Sequence, residues 1–198
     1  MAVLRSRWQR FWWQWTVATL LGEGAGLVLF GLMVLLLVRF FLPPFWLLGL
    51  LFGFSRGLGV GIGQGLALGS LVTGEQVVAW VGATALGWAA AAEASLWLLQ
   101  QTGNTWLGVV AAGISLGLAQ WLVLRQLAPQ VTLGLWMATW VTAFGLGQLA
   151  EQVLGNLPGR AWVVVVLLVV RGLLHGAVTG NNLAWTLQNT SPDPTTGN

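Results

Sequence analysis

The sequence predicts an all-α polytopic membrane protein with six transmembrane helices, and three observations support this fold class. Charged residues make up only 7 % of the 198 positions, against roughly 25 % in an ordinary soluble domain. Hydrophobic residues supply 57 %, and six apolar stretches are separated by short polar or Pro/Gly segments. Each stretch reaches the ~20 residues that cross a bilayer as a helix. Soluble enzymes, disordered chains and nucleic-acid-binding proteins are excluded, because so few charges cannot cover a water-facing surface.

The six spans follow one another with loops too short for a separate soluble domain. Residues 1–13 form a basic and aromatic segment, after which an apolar run continues without the cleavage site of a signal peptide. Residues 188–198 form a polar tail. Short loops favour antiparallel packing of consecutive helices. The predicted spans cover residues 14–38, 45–72, 76–99, 105–124, 132–153 and 161–187.

Arginine supplies all 8 basic residues and sets the predicted orientation. Short cytoplasmic loops carry an excess of basic residues. If the N-terminus is cytoplasmic, that side holds four arginines and the opposite side two. Both termini are therefore predicted to be cytoplasmic. The four are Arg5, Arg7, Arg10 and Arg125, and the two are Arg39 and Arg160.

Two short patterns recur along the chain and predict three tandem helical hairpins. The odd-numbered spans share WxxATxxG, which begins at Trp15 and Trp80, with a degraded copy around Ala138 and Thr139 in which Leu135 replaces the tryptophan. The even-numbered spans share GxxxGxxQ/T. Three such hairpins can close as a pseudo-threefold bundle. The even-span copies are Gly57, Gly61, Gln64; Gly113, Gly117, Gln120; and Gly172, Gly176, Thr179.

The combination of WxxATxxG with GxxxGxxQWLVLR, which ends at Arg125, resembles a group of multi-pass membrane proteins from cyanobacteria and some other bacteria. The resemblance extends over all six spans and implies the hairpin architecture. It also implies a bacterial inner membrane or a thylakoid membrane. The group has no established activity, so the resemblance implies no catalytic residue.

Glycines at four-residue spacing predict close helix packing. Lipid supplies no hydrophobic force between helices, so association depends on the close backbone contact that small residues permit. The glycines either pack within the chain or bind a helix of another membrane protein, and both alternatives stay open. The second span carries Gly49, Gly53, Gly57, Gly61, Gly65 and Gly69; the fourth carries Gly113 and Gly117, and the sixth Gly172, Gly176 and Gly180.

Charged side chains inside the spans are the candidate functional residues, because burying a charge in lipid is costly. They are Glu23, Arg56, Glu93, Glu151 and Arg171. Depth along the helices, at 1.5 Å per residue, places Glu23 and Arg56 close to each other near the midplane. Arg171 is expected to pair with Glu151 or Glu93, unless Glu151 reaches Arg160.

These charges are interpreted in two ways. They are buried ion pairs that fix helix register, or the arginines line a polar cavity for an anion, a lipid headgroup or a coupled proton. Arg171 and His175 are four residues apart and share a helix face. The other candidate walls of this cavity are Gln64, Gln120, Thr179, Asn181 and Asn182.

The chain lacks the groups of most enzymes and metal sites. It has no cysteine and one histidine, so neither a metal site nor a Ser/His/Asp triad is predicted. The leading hypothesis is a non-enzymatic accessory or assembly subunit that packs against membrane proteins or hydrophobic ligands. The alternatives are a small transporter or channel, a protein that binds chlorophyll or carotenoid through groups such as Glu23, Glu93 or His175, and, third, a lipid-acting enzyme.

Overall fold

The computed structural model describes the backbone of residues 2–69, 71–155 and 160–190, and the side chains of residues 8–69, 71–155 and 162–188. This part of the chain is entirely helical, without strands, and its helices are each long and apolar enough to cross a membrane. The predicted fold class is confirmed. The side chains of Arg5, Arg7 and Arg160 and the tail from residue 191 lie outside the described residues. The helices are α1 (Ala2–Val38), α2 (Phe45–Leu68), α3 (Gly74–Thr102), α4 (Thr105–Leu127), α5 (Leu133–Leu154) and α6 (Arg160–Thr190).

The first helix begins at Ala2, well before the predicted start of the first span at residue 14. Its 37 residues extend over roughly 55 Å at 1.5 Å per residue, whereas the hydrocarbon core is about 30 Å thick. Hydropathy predicts only the part of a helix that lies inside lipid. Backbone hydrogen bonds continue α1 towards the N-terminus beyond that part. Residues 2–13 are therefore helical.

Local sequence signals account for the helix ends between the spans. Thr73 accepts a hydrogen bond from the Gln76 amide, and the Gln76 side chain accepts one from the Thr73 amide, which forms a capping box at the start of α3. Asn104 and Thr132 cap the starts of α4 and α5, where the side-chain oxygen of each accepts one hydrogen bond from a backbone amide of the helix. Gly103 ends α3 with φ +64°, a left-handed conformation that favours glycine.

The six helices form a closed ring in which each helix packs against its sequence neighbours and α6 returns to α1. In the described residues no helix contacts one across the ring at the backbone level. We call the end of the ring with both termini the proximal end. The distal end carries the α1–α2, α3–α4 and α5–α6 connections. Side chains of the surrounding helices therefore fill the centre of the ring.

The glycine ladder of α2 packs against α3 within the chain. A Cβ atom built on Gly57 would lie 2.7 Å from the Cα of Ala85, and one on Gly61 would lie 3.0 Å from the Cα of Val81. The residues on α3 descend in number as those on α2 rise, as antiparallel packing requires. Gly69 follows the helix and meets only its own backbone. The ladder residues that contact α3 are Gly49, Gly53, Gly57, Gly61 and Gly65.

Glycines also permit close contact at the other helix seams. On α2, a second row of Gly59 and Gly63 meets α1 at Gly22, Gly26 and Ala18, and the four-residue spacing of the ladder did not predict it. Small residues thus line two sides of α2, and the helix approaches both neighbours at backbone distance. At the α4–α5 seam Gly113 and Gly117 meet Val141 and Met137, and at the α6–α1 seam Gly172, Gly176 and Gly180 meet Leu20, Thr16 and Trp15.

Candidate functional site

A buried ion cluster lies in the middle of the ring and joins three helices. Nη2 of Arg56 lies 2.6 Å from Oε2 of Glu23, and Nδ1 of His175 lies 2.6 Å from Oε1 of the same carboxylate. The exposed fractions of these three side chains are at most 5 %. The close approach depends on Gly26, because a Cβ there would lie 2.5 Å from the Cα of Arg56. Glycine packing between α1 and α2 thus brings the first pair together.

The second arginine forms a more exposed pair. Nη1 of Arg171 donates to Oε2 of Glu151 at 3.1 Å, and the Glu151 side chain is 48 % exposed. Of the two acids expected for Arg171, Glu151 is therefore the partner. Glu93 instead faces α2, where a Cβ on Gly49 would lie 2.6 Å from its Oε1, and that oxygen has no hydrogen-bond partner among the described residues. The sequence placed Glu93 among the ion-pair candidates, and it lies outside the cluster.

Aromatic rings enclose the imidazole of His175. The ring centroids of Phe144, Trp88 and Trp140 lie 4.9, 5.8 and 5.9 Å from that of His175. Trp88 also stacks on Arg56, whose guanidinium carbon lies 4.5 Å from the ring centroid. The aromatic side chains therefore hold both the histidine and the arginine in fixed orientations and keep lipid away from them.

A second polar network fills the proximal half of the ring. The indole nitrogen of Trp80 donates to Gln64 at 3.3 Å, and that of Trp140 donates to Gln120 at 2.7 Å. The indole of Trp15 donates to the hydroxyl of Thr179 at 2.9 Å. Each bond runs from an odd-numbered helix to the preceding even-numbered one, with α6 preceding α1. The three tryptophans are fully buried.

The side-chain amides of the two glutamines in this network donate to threonines on the helix that precedes each of them in the chain. Gln64 donates to Thr19 at 3.0 Å and Gln120 to Thr84 at 2.9 Å. Gln64 and Gln120 therefore belong to a packed hydrogen-bonded core, not to the wall of a cavity. The WxxATxxG repeat places Leu135 at the tryptophan position of the third hairpin. In the structure it is Trp140 that donates to the glutamine of the preceding helix, Gln120. Asn182 correspondingly donates to Thr139, and Asn181 is exposed.

A cavity of about 250 Å³ extends from the ion cluster towards the distal end. Arg56 and Arg171 line it, together with Trp88 and Phe144. At the distal end its wall reaches Thr105, which is exposed. None of the described lining residues is acidic. The cavity thus combines two cationic groups with apolar and aromatic walls.

Several buried nitrogens of this region hydrogen-bond to no other described protein atom. They are Nε of Arg56, Nε of Arg171, Nε1 of Trp88 and Nε2 of His175. Buried polar groups in folded proteins are almost always hydrogen-bonded, and each exception requires an explanation. Three of these atoms are obligate donors. The arrangement is thus suited to binding oxygen atoms of an anionic or hydroxylated group.

Neither a metal ion nor a large pigment fits this arrangement. The described residues contain no group of three or more His, Asp or Glu side chains able to hold a metal ion. The cavity volume lies below the ~300–1,000 Å³ of drug-sized ligand sites, so a chlorophyll macrocycle does not fit within it. His175, one candidate axial ligand, is wholly buried among aromatic side chains.

No known protein family, curated protein or solved structure matches this chain. The chemistry of the cavity therefore carries the functional inference.

Proposed function

We propose that this chain is a non-enzymatic integral membrane protein that binds a small amphiphilic acid inside its helix ring. The acidic group binds near Arg56 and Arg171, and the apolar part lies against Trp88 and Phe144. The observation that carries this proposal is a cavity faced by two arginines whose Nε atoms have no protein acceptor, in the absence of any acidic residue among its described lining. Charged hydrogen bonds of this kind are among the strongest in proteins.

The apolar walls explain why the ligand is amphiphilic. Ala91, Ala112 and Leu96 line the cavity together with the aromatic side chains. Burying apolar ligand surface contributes about 25 cal/mol per Å². An inorganic ion would leave these walls unused, whereas a short-chain acid fills both parts of the cavity.

The proximal network favours binding over conduction. Trp15, Trp80, Gln64 and Gln120 are fully buried, and Gln120 donates to Gln64 between the non-neighbouring helices α4 and α2. A ligand in the cavity meets this packed layer before it can reach the proximal end. The transporter alternative therefore requires these side chains to separate, at the cost of several buried hydrogen bonds.

The glycine ladders bear on the accessory-subunit hypothesis. Gly53, Gly57 and Gly61 contact α3 of the same chain, so they are not available to a second protein. This removes the main support for partner binding through α2 and favours the hydrophobic-ligand form of the hypothesis. We further propose a bacterial inner or thylakoid membrane, with the proximal end cytoplasmic because Arg10 and Arg125 lie on that side.

The test is to identify the molecules that co-purify with the protein in mild detergent, by mass spectrometry. We expect an acidic amphiphile in the wild-type preparation and its depletion by about ten- to a hundredfold in Arg171→Gln, which loses one charged hydrogen bond. Glu151→Gln is the matched control, because it breaks the same ion pair but keeps the guanidinium. Absence of any enriched acid, relative to an unrelated helical membrane protein, would contradict the proposal.

A further inference from the structure

Two buried nitrogens of α6 lie beside Gly147 on α5. A Cβ atom built on this glycine would lie 3.4 Å from Nε2 of His175 and 3.5 Å from Nε of Arg171. Both nitrogens are buried and hydrogen-bond to no described protein atom. Two unpartnered nitrogens thus converge where α5 lacks a side chain. We call this space the Gly147 niche.

The niche adjoins the cavity of the proposed function. Arg171 borders both, and Phe144, one turn before Gly147 on α5, lines the cavity and contacts the His175 ring at 4.9 Å. His175 itself is 0 % exposed. An acidic group in the niche therefore leaves its apolar chain to extend along Phe144 into the cavity.

The hydrogen-bonding pattern of His175 defines which group the niche accepts. The Glu23 carboxylate is held by Arg56 and only accepts hydrogen bonds, so Nδ1 of His175 carries a proton. In the neutral imidazole Nε2 is then an acceptor, while Nε of Arg171 is a donor. One acceptor beside one donor complements a carboxylic acid, which donates through O–H and accepts through C=O.

The charges around His175 lead to the same ligand state. Glu23 faces it from α1, Arg56 from α2 and Arg171 from its own helix, and Glu151 of α5 pairs with Arg171. These two arginines and two glutamates balance. A carboxylate alone would add an uncompensated buried charge, which is strongly unfavourable. A carboxylate that arrives with one proton keeps the cluster neutral, whether the proton resides on the acid or on Nε2.

We propose that the Gly147 niche is the head-group subsite for a monocarboxylic acid, and that each bound carboxylate is accompanied by one proton shared with His175. This inference rests on the proposed function and specifies its ligand class. The cavity volume of about 250 Å³ corresponds to roughly eight water-sized groups of ~30 Å³ each. Hexanoate has this size and serves as the probe.

The experiment is calorimetric titration of hexanoate into the protein in lipid nanodiscs, in two buffers of different ionisation enthalpy. We expect uptake of about one proton per bound hexanoate, and a Kd that rises about tenfold per pH unit above neutrality because binding is linked to that proton. Hexylammonium, with the same chain and the opposite charge, is expected not to bind. Oleate added through the bilayer, compared with hexanoate added from water, distinguishes a membrane-derived acid from a soluble one.

Gly147→Ala is the decisive variant. Its methyl group would make only ordinary contacts at 3.4–3.5 Å, and alanine is the better helix former, so the fold is retained. The methyl group nevertheless covers the two nitrogens, and we expect binding of hexanoate to weaken by about tenfold or more. Gly145→Ala on the same helix is the matched control, because its nearest neighbour is Trp106 at 3.8 Å.

The possible results separate the two proposals. Binding of hexanoate without proton uptake, or binding unchanged by Gly147→Ala, contradicts the niche and leaves the proposed function intact. Failure of both hexanoate and oleate to bind the wild-type protein contradicts the proposed function and the niche together. His175→Gln, which removes the acceptor Nε2 but keeps a polar side chain, is expected to weaken binding of hexanoate; unchanged binding in this variant also contradicts the niche.

Discussion

At the scale of single residues, Glu23 is the side chain on which the buried cluster depends. It accepts hydrogen bonds from Arg56 and His175 at 2.6 Å each, and it is only 1 % exposed. Its contact with Arg56 could be predicted from the depth of the two residues in the membrane, counted along the antiparallel helices α1 and α2. The contact with His175 could not, because it requires knowing that α6 closes on α1.

We expect Glu23→Gln to lower the free energy of unfolding by about 3–5 kcal/mol, because the charge of Arg56 is left buried without compensation. Thermal unfolding in detergent measures this effect. Glu151→Gln is the control, since its partially exposed pair with Arg171 contributes about 0–1 kcal/mol. Equal losses in the two variants would show that the Glu23 pair is not the more important one.

Gln120 makes three side-chain hydrogen bonds in the proximal network, with Trp140, Thr84 and Gln64. Replacing it with leucine leaves the buried indole of Trp140 without an acceptor. We expect Gln120→Leu to destabilise the protein by about 1–3 kcal/mol, measured by the same unfolding assay. The matched change Gln14→Leu, at an exposed position of α1, is expected to have little effect; a comparable loss there would contradict the assignment.

At the scale of helices, glycine rows determine which helices touch. The four-residue spacing in α2 predicted close contact, but two alternatives for the contacting helix remained because spacing contains no information about the partner. The row at Gly59 and Gly63 was missed, since a two-residue offset from the ladder places it on another face of the helix. Thr73 and Asn104 supply the capping side chains of α3 and α4, which begin at Gly74 and Thr105, whereas the predicted spans begin at residues 76 and 105.

Gly57→Leu tests the α2–α3 seam. A side chain there must displace the backbone of α3 near Ala85, which lies 2.7 Å from the built Cβ, and overpacking of this kind costs at least about 1–3 kcal/mol. We expect lower folded yield and lower thermal stability. Gly82→Leu on α3 is the control because a Cβ there meets nothing within 4 Å. If both variants fold equally well, the seam tolerates separation and the packing argument is wrong.

At the scale of the whole molecule, hydropathy alone was sufficient to predict the number and order of the helices. It could not predict the cavity. The arginines at 56 and 171 marked the region, but the aromatic wall of Trp88 and Phe144 and the glycine at 147 depend on how the ring closes. Trp88 and Trp97 illustrate the difference: both lie within the third predicted span, yet Trp88 is 4 % exposed and Trp97 is 59 % exposed.

The topology can be tested without removing any native thiol, because the chain contains no cysteine. We expect single cysteines at Thr73 and Gln130, in the proximal loops, to react with a membrane-impermeant maleimide only from the cytoplasmic side. Cysteines at Pro43 and Asn104, in the distal loops, are expected to react only from the opposite side. Reaction of all four from one side would contradict the six-span topology, and a reversed pattern would contradict the proposed orientation alone.

The bond between Trp15 and Thr179 joins residues 164 positions apart. During synthesis α1 enters the membrane long before α6 exists, and its buried indole has no partner until the last helix arrives. An unsatisfied donor in lipid costs several kcal/mol. The face of α1 that packs against α6 therefore stays without its partner helix through most of translation. Insertion of α6 completes the ring, so a chain that stops short of residue 179 is expected to leave the Trp15 indole without its acceptor.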